Sequence, residues 1–490
     1  MLRNACALLI MSSLFFTSAQ AAKPSRMSAS ASKSVGQTMG EKIKKALDSS
    51  GFKNGEVGMW VGATDEKGLA TYFGHNENKL FIPASLSKLV TAGAILHELH
   101  PSYKFKTQLV SDAKIDGGAL AGSLYLKGGG DPSFVSENMW FLINELTRAG
   151  VTSVEGDVVV DDSRYDRIRF GEDRQDVRVD RAYDAPVGAM SMNWNSVAVY
   201  VRPGDKVGEK AKVVADVMSP FVKVKNETKT TGAGKGKSIS VERTKEKGFD
   251  GDVVIVSGGI AADHAELVFY KNISDPEMWA GYNLVEFLRQ RGIAVKGKVR
   301  SGAAPKDAAV LATAESKVLS SVVADMSKWS NNYVSEMLVK EIAAVGGESP
   351  ATMAGGMTKV LKYLESSGMK KGEYEFINAA GFTRKNKLTP AQLGRFLEFV
   401  HQDFSIYPEY VASLPIAGVD GTLRKRMLGS KAEKWVRAKT GLLNGVVGLS
   451  GYAGRSDSSI ITFVFIYNGS GREDKARAFF DRVASLLVED

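Results

Sequence analysis

The sequence has 490 residues, 44% of them hydrophobic, and a formal net charge of +9 at pH 7. It is therefore long enough to form two or three domains with cores of their own. Its one cysteine precludes an intramolecular disulfide and a cysteine-ligated zinc site. Its five histidines are scattered without the spacing of a metal site or of a Ser-His-Asp triad, which argues against a metal hydrolase.

The chain begins with the pattern of a secretory signal peptide over residues 1–21. Arg3 gives a positive start, an apolar stretch runs from Ala5 to Phe16, and small residues at 19–21 form a cleavage site. The cysteine, Cys6, lies inside this segment, so the processed chain would contain no thiol. No second apolar run reaches the length of a membrane span. We therefore expect a soluble protein without a transmembrane segment, exported to the periplasm.

A buried helix is predicted to begin at Ser85, after a first helix and two strands. Pro83 precedes the tetrapeptide SLSK of residues 85–88, and apolar residues follow it with helical spacing as far as Leu96. Ser85 and Lys88 then lie one turn apart on one face, with the hydroxyl near the positive end of the helix dipole. The two residues could act as nucleophile and base, although a serine that only caps its helix gives the same pattern. The preceding elements are expected over 40–47, 57–62 and 70–73.

A different pattern begins near Thr107 and continues for about two hundred residues. Strands alternate there with helices and with glycine-rich turns such as GGGDP at 128–132. Because a helical pattern returns after residue 310, we predict that an insertion splits the catalytic domain. The strands are expected over 123–127, 156–160, 196–201, 253–256 and 267–270, and the helices over 137–149 and 284–291.

Residues 221–247 form the most basic part of the insertion, with eight Lys or Arg against three Glu. Two alternating apolar segments flank the piece TGAGKGKS at 231–238. A phosphate-binding loop would need glycine where the chain has Thr231, and no long helix follows Ser238. We therefore interpret the segment as a flexible cationic hairpin. In an exported protein this charge suits an anionic polymer of the envelope, and no nucleic-acid partner is expected.

Two further motifs follow the insertion, SNN at 330–332 and KTG at 439–441. With SLSK they describe, in this order, an acyl-transfer serine site that uses lysine where other serine enzymes use histidine. Each motif alone is common, so order and context must choose among the copies. Competing copies lie at 30–33, 367–370, 136–138 and 191–193. Helices are expected over 334–344, 353–364, 390–400 and 476–488, and strands over 446–452 and 459–467.

The three motifs in this order resemble the penicilloyl-serine transferase superfamily. The long insertion is similar to that of the class C low-molecular-mass penicillin-binding proteins, which are D-alanyl-D-alanine carboxypeptidases and endopeptidases. Supporting similarity lies in LYLKGGGDP at 124–132, YDAPV at 183–187, AGVDGTL at 417–423 and residues 448–453. In the family a helix follows the second motif, as predicted after Ser330, whereas residues 191–193 match a structural segment.

The resemblance implies an α+β fold with a β-lactamase/transpeptidase-like catalytic domain, an antiparallel sheet flanked by helices. A large insertion, mixed α/β and β-rich, would split this domain. We predict a flexible tail over 22–35, the catalytic domain over 36–106 and 310–490, an inserted α/β domain over 107–195 and 262–309, and a nested basic β-rich domain over 196–261.

The residues of the motifs suggest a role for each member of the site. Ser85 would attack the carbonyl, and Lys88 would take its proton if burial and the cationic neighbour Lys439 lower the pKa of Lys88. Ser330 would relay the proton to the leaving amine, and Asn332 would hold Lys88 and the substrate amide. Lys439 and Thr440 would bind the terminal carboxylate of the peptide. Gly441 would let the strand approach the substrate backbone closely. The backbone N–H groups of Ser85 and Leu442 would bind the oxyanion.

Four other residues lie outside the three motifs. By resemblance Asp161 would face the amine of a diaminopimelate side chain, but consecutive acids after a strand also suit a solvated turn. Arg384 matches a family arginine near the active site, although NAA at 378–380 departs from the usual acidic and serine-containing version of the preceding loop. Trp329 would either line the groove or pack in the core, and we expect it in the core. Asp420 is expected to stabilise its own glycine turn.

The sequence thus predicts a periplasmic serine DD-peptidase that acts on the stem peptides of peptidoglycan and is inhibited by β-lactams. It needs neither a metal nor another cofactor. A β-lactamase is one alternative, but the chain has no Glu-x-x-Leu-Asn signature for activating water. A non-catalytic wall-binding protein is the other. The oligomeric state stays open, a homo-oligomer included, and so does the balance between carboxypeptidase and endopeptidase activity.

Overall fold

The computed structural model describes residues 29–65, 68–171 and 180–489, so the predicted signal peptide over 1–21 lies outside the described residues. The helices are α1 (Ala29–Asp48), α2 (Ser87–Leu99), α3 (Ser136–Arg148), α4 (Pro276–Gln290), α5 (Leu319–Lys328), α6 (Asn332–Val345), α7 (Met353–Ser366), α8 (Pro390–Gln402), α9 (Tyr407–Ser413) and α10 (Glu473–Val488). No helix among the described residues combines the length and the apolar character that crossing a membrane requires.

The strands fall into a group at the two ends of the chain and a larger group between them. The strands are β1 (Val57–Asp65), β2 (Gly68–His75), β3 (Lys106–Ser111), β4 (Ile115–Asp116), β5 (Ala119–Leu120), β6 (Leu124–Lys127), β7 (Ser153–Val154), β8 (Val158–Asp161), β9 (Ser196–Arg202), β10 (Lys212–Asp216), β11 (Val222–Thr231), β12 (Ser240–Thr244), β13 (Asp252–Ala261), β14 (Leu267–Asn272), β15 (Ala294–Val295), β16 (Val299–Ser301), β17 (Ala309–Glu315), β18 (Val436–Leu443), β19 (Val446–Gly454) and β20 (Ile460–Asn468).

The catalytic domain is built on an antiparallel sheet with the strand order β18-β19-β20-β1-β2. Strand β20 is almost wholly apolar because both faces of the sheet are covered. Val464 and Ile466 pack in a core with α2, α6 and α8, while Phe463 and Phe465 pack with α1 and α10 on the other face. Strand β18, which contains the KTG motif, is an edge of this sheet.

The insertion is organised around a sheet with the order β16-β8-β6-β3-β17. Helices α3 and α4 and strand β9 share its core. Strand β17 pairs antiparallel with β3, from Ala309 opposite Ser111 to Glu315 opposite Lys106. The domain boundary expected at 310 therefore lies within a strand that belongs to the sheet of the insertion.

The basic segment is not a hairpin, so that expectation is wrong. Strand β11 pairs in parallel with β13, and β12 pairs antiparallel with the other side of β13. The central strand is the apolar one, since Val253, Val254 and Val256 are buried. The lysine-rich β11 takes an edge, where alternate side chains reach solvent.

The flexible tail expected over 22–35 is also corrected. Residues 22–28 lie outside the described residues, but α1 already begins at Ala29. Met39 and Ile43 anchor this helix in the core against the sheet.

Candidate active site

Ser85 lies in a 3₁₀ turn over Ala84–Leu86, directly before α2, rather than within the helix itself. The preceding Ala84 has a φ of 50°, in the left-handed region that residues with a Cβ rarely adopt. Leu86 N–H closes the turn on Pro83 O at 3.1 Å. The turn leaves Ser85 half-buried and places Lys88, which is fully buried, in the first turn of α2.

The amine of Lys88 connects the first two motifs. Lys88 Nζ lies 3.3 Å from Ser85 Oγ and donates to Asn332 Oδ1 at 2.7 Å. It also donates to the carbonyl oxygen of Ala380 at 2.6 Å. Asn332 is the first residue of α6, whose N-terminal cap is the side chain of Asn331. The oxygens of Asn332 and Ala380 thus hold the lysine amine beside the serine hydroxyl.

Lys439 occupies the opposite side of the site. Its amine donates to Ser330 Oγ at 2.8 Å and to Thr440 O at 2.9 Å. The side chain is fully buried in β18, and burial lowers the pKa of Lys439 to about 7. An amine with this pKa changes its charge readily, and an anionic ligand would favour the protonated form.

The rest of the KTG strand adjoins the turn that contains Ser85. Thr440 Oγ1 donates to Thr422 Oγ1 at 2.9 Å. A Cβ on Gly441 would lie 2.8 Å from Pro83 O and 3.3 Å from Leu86 Cγ. Glycine is therefore required here for β18 to approach the turn of Ser85, a contact that we did not predict from the sequence. Leu442 is largely exposed beside this contact.

A loop over residues 377–382 positions the carbonyl oxygen of Ala380 beside the amine of Lys88. The sequence analysis did not predict how this loop is organised. Asn386 Oδ1 accepts hydrogen bonds from Ile377 N at 2.9 Å and Asn378 N at 3.0 Å. Asn386 Nδ2 donates to Ser87 Oγ at 2.9 Å and to Asn378 O at 2.7 Å. The fully buried Asn386 thereby fastens the loop to α2 and directs Ala380 O towards the lysine. Ser87 and Thr91, polar residues one turn apart in an apolar helix, are the signal that could have revealed this loop.

Asp161 and Arg384 do not contact the residues of the three motifs. Asp161 ends β8 in a buried position, and its two carboxylate oxygens accept hydrogen bonds from Ser163 N and Ala304 N, each at 3.0 Å. It does not lie in a solvated turn, because the end of β8 is covered by the chain near Ala304. The exposed Arg384 donates to Asn444 O, in the turn that connects β18 and β19.

Two neighbours of the site differ from expectation. Trp329 is 59% exposed, so the prediction that it packs in the core is wrong. Helix α5 ends at Lys328, and the left-handed Ser330, with a φ of 56°, turns the chain so that the indole stays outside. Asp420 accepts from Ile416 N at 2.9 Å within its own turn, and also from Lys328 Nζ at 2.6 Å.

The described residues contain no group of three or more His, Cys, Asp or Glu side chains arranged to hold a metal ion. The site has instead two hydroxyls, each within hydrogen-bonding distance of a buried amine: Ser85 with Lys88, and Ser330 with Lys439. Such a set can transfer protons and bind an anion without a metal.

Known proteins resemble this chain in sequence over most of their length. A D-alanyl-D-alanine carboxypeptidase of Actinomadura sp. (strain R39) is 30% identical over 406 residues, which cover 79% of this chain and 73% of the relative. The D-alanyl-D-alanine carboxypeptidase DacB of Haemophilus influenzae is 25% identical over 402 residues, 82% of this chain and 83% of the relative.

Solved structures also superpose on most of this chain. Penicillin binding protein 4 (dacB) from Haemophilus influenzae superposes with a TM-score of 0.76 at 22% identity, over 91% of this chain and 99% of that one. The Bd0816 predatory endopeptidase from Bdellovibrio bacteriovorus gives a TM-score of 0.51 at 15% identity, over 89% and 93% of the two chains. These matches confirm the predicted fold class.

The match to a family model extends over nearly the whole described chain. The model of the D-Ala-D-Ala carboxypeptidase 3 (S13) family matches residues 40–487, so it includes all three motifs and the insertion between the first and the second. The chain therefore belongs to the D-Ala-D-Ala carboxypeptidase 3 (S13) family, which confirms the resemblance to the class C low-molecular-mass penicillin-binding proteins and the assignment to the serine peptidases.

Proposed function

We propose that the chain is a periplasmic serine DD-peptidase that forms an acyl-enzyme at Ser85. Its substrates would be the D-alanyl-D-alanine ends of peptidoglycan stem peptides, the D-alanyl-diaminopimelate cross-links, or both. The observation that supports this best is the position of Lys88 Nζ, within hydrogen-bonding distance of both Ser85 Oγ and Asn332 Oδ1. A buried amine in contact with a half-buried serine hydroxyl has the geometry of a general base and its nucleophile.

Substrate binding is assigned to the edge strand β18. The buried amine of Lys439 and the hydroxyl of Thr440 would bind the terminal carboxylate of the peptide. Residues 415–417 pair with the outer edge of β18 at residues 436–438. An extended peptide can lie along the rest of that edge, from Lys439 onwards. The scissile carbonyl would then point its oxygen at the backbone N–H groups of Ser85 and Leu442. One such oxyanion contact lowers the barrier by about 3 kcal/mol.

Acylation and deacylation follow from these positions. Lys88 takes the proton of Ser85 as Oγ attacks the D-alanyl carbonyl carbon, and the amide C–N bond breaks. The proton reaches the leaving amine through Ser330, whose hydroxyl lies 2.8 Å from Lys439 Nζ. A water molecule then attacks the ester, Lys88 takes the proton of the water, and the proton returns to Ser85 Oγ as the peptide acid departs. A β-lactam would acylate the same hydroxyl and so inhibit the enzyme.

Asp161 and Arg384 keep separate roles in this proposal. Arg384 borders the far end of the KTG strand through Asn444 O, where it could contact a substrate side chain. Asp161 would face the amine of a diaminopimelate side chain from the insertion, as the resemblance implies. Because both of its carboxylate oxygens already accept backbone hydrogen bonds, any such contact has to share those oxygens.

Chromatography with mass spectrometry of cross-linked peptidoglycan fragments tests the proposal. The fragments are incubated with the protein lacking residues 1–21 and with its Ser85→Ala variant. Loss of terminal D-alanine by the unaltered protein alone would show carboxypeptidase activity, and conversion of dimers to monomers would show endopeptidase activity. If neither change occurs, the wall-binding alternative replaces the proposal, whereas sustained cephalosporin hydrolysis would favour a β-lactamase. Penicillin labelling retained in a Lys88→Met variant would refute the role given to that lysine.

A further inference from the structure

A pocket of about 600 Å³ opens beside the catalytic centre on the side of Ser330. Its wall on the catalytic domain is the turn of residues 329–331, and its other walls belong to the insertion. Ser330 therefore belongs both to this wall and to the proposed site of acyl transfer, where its Oγ accepts a hydrogen bond from Lys439. None of the three motifs predicts it.

Exposed aromatic rings line this pocket. They are Tyr183, Trp194 and Tyr270 from the insertion and Trp329 from the catalytic domain, and each is between 41% and 59% exposed. Large rings left in contact with water on four separate segments are unusual unless they bind something, because burial of each ring would be favourable. Their faces suit methylene chains and other uncharged groups.

The backbone around Trp194 is held in a conformation that exposes its ring. Asn193, Trp194 and Asn195 have φ values of 51°, 55° and 48°, which are disfavoured for residues with a Cβ. The buried Asn195 fixes this turn, because its Nδ2 donates to Pro186 O and to Ser191 Oγ, each at 2.8 Å. Strained turns persist where the surroundings enforce them, and they concentrate at functional sites. The turn therefore holds the ring of Trp194 in the wall of the pocket.

The charge of the pocket narrows the choice of ligand. Among the described residues that line it, Glu137 and Asp216 are charged and none is a lysine or an arginine. The chain as a whole has a net charge of +9. A pocket with this lining attracts N–H donors and cationic groups and disfavours an anionic polymer.

We propose that this pocket binds the leaving strand of a peptide cross-link, meaning the side chain of a diamino acid and the peptide attached to it. The inference rests on the proposed function, in which Ser330 passes the proton to the leaving amine. The group attached to that amine must then lie on the side of Ser330. Carboxypeptidase action and cross-link cleavage both break the bond between the D-alanyl carbonyl carbon and the amine nitrogen. Only the larger leaving group fills the pocket, so the site favours cross-links.

The test compares kcat/KM for a cross-linked muropeptide dimer and for a monomeric peptide ending in D-alanyl-D-alanine. The variants are Trp194→Ala and Tyr270→Ala, with Phe404→Ala as the control because its ring is 85% exposed and does not line the pocket. We expect the ratio of dimer to monomer kcat/KM to fall about tenfold in both pocket variants, mainly through KM. Trp194→Phe should recover most of the ratio, and Phe404→Ala should leave it unchanged.

The outcomes separate this inference from the proposed function. An equal loss on both substrates, no loss on the dimer, or an unaltered protein that cleaves only the monomer would overturn the pocket assignment while the DD-peptidase proposal stands. An unaltered protein that cleaves neither substrate would refute both. Penicillin labelling of each variant checks that its catalytic domain is folded. Tyr270 lies in mid-strand with its ring outside, so Tyr270→Ala decides the question if Trp194→Ala does not fold.

Discussion

The amine of Lys439 donates a 2.8 Å hydrogen bond to the hydroxyl of Ser330 while burial lowers the pKa of Lys439 to about 7. The two residues come from an edge strand and from the turn before α6, so sheet and helices meet at this bond. An amine that titrates near neutrality makes recognition of an anionic substrate sensitive to pH.

Binding of a peptide carboxylate should weaken as the pH rises through the pKa of Lys439. The protonated amine binds the carboxylate, and its population falls about tenfold for each pH unit above that pKa. Calorimetric titration of the Ser85→Ala variant with a D-alanyl-D-alanine peptide would measure this dependence of Kd. The same peptide with a C-terminal amide is the control, and an equal pH dependence for both peptides would contradict the prediction.

Lys439→Met should stabilise the fold while it abolishes carboxylate binding. The pKa of Lys439 is about 7 in the folded chain against 10.5 for an unperturbed lysine, so the unfolded chain holds more protons between these values. The destabilisation is therefore complete below about pH 7 and fades as the pH rises towards 10.5. We expect the melting temperature of Lys439→Met to exceed that of the unaltered protein by about 3 °C at mildly acidic pH, and by less at alkaline pH. Lys229→Met, at an exposed position of β11, should change nothing; a lower Tm for Lys439→Met would refute the argument.

Gly441→Ala should slow acylation without unfolding the protein. Its Cβ would lie 2.8 Å from Pro83 O, so β18 has to move away from the turn of Ser85. A displacement of about 1 Å can reduce the rate of a positioned reaction by up to about 100-fold. The rate of labelling by a fluorescent penicillin measures the effect. Gly232→Ala is the matched control, since the nearest heavy atom to its Cβ is 3.9 Å away; equal rates in the two variants would show that the contact is unimportant.

Asn386→Ala should lower the acylation rate constant more than the affinity for penicillin. The change leaves Ile377 N and Asn378 N without their acceptor, and it frees the loop that directs Ala380 O towards Lys88. We expect a roughly tenfold fall in the acylation rate constant, measured by stopped-flow labelling at several penicillin concentrations.

The control for that experiment is Asn226→Ala. Both ends of the Asn226 side-chain amide are also hydrogen-bonded, because Nδ2 donates to Ala211 O at 2.8 Å and Oδ1 accepts from Thr228 Oγ1 at 2.7 Å. Asn226 lies in β11 of the insertion, outside the catalytic domain. If this variant slowed acylation as much, general destabilisation would explain both results and Asn386 would not be a positioning residue.

A local pattern was enough to predict that Ser85 and Lys88 lie side by side. Ser85 and Lys88 are one turn apart, so a helical period was enough to bring them together. The association of Lys88 with Asn332 and of Lys439 with Ser330 spans long stretches of sequence, and only the order of three motifs pointed to it. The long apolar runs of β19 and β20 were also identified, because both faces of the sheet are buried.

The pairing of distant strands was harder to predict, and so were the burial and contacts of single side chains. Strands β11 and β12 flank one loop, yet β13 lies between them. The apolar run of β13 suits a central strand, but no local pattern specifies which strands pair with it. Trp329 was expected in the core rather than along the groove, whereas the left-handed Ser330 beside it keeps the ring outside. Asn386 belongs to no motif, since its role depends on backbone groups that only the fold brings near.

The pairing of β3 with β17 has a consequence for the architecture as a whole. Just outside these strands Phe105 and Ser316 exchange two hydrogen bonds, each of 3.0 Å. The chain thus departs from the catalytic domain and comes back to it at a single point, as if the insertion were a very long loop on a two-stranded stem. Its removal would leave two ends already side by side, which a short turn could join. The insertion therefore leaves the path of the strands β1, β2, β18, β19 and β20 unaltered.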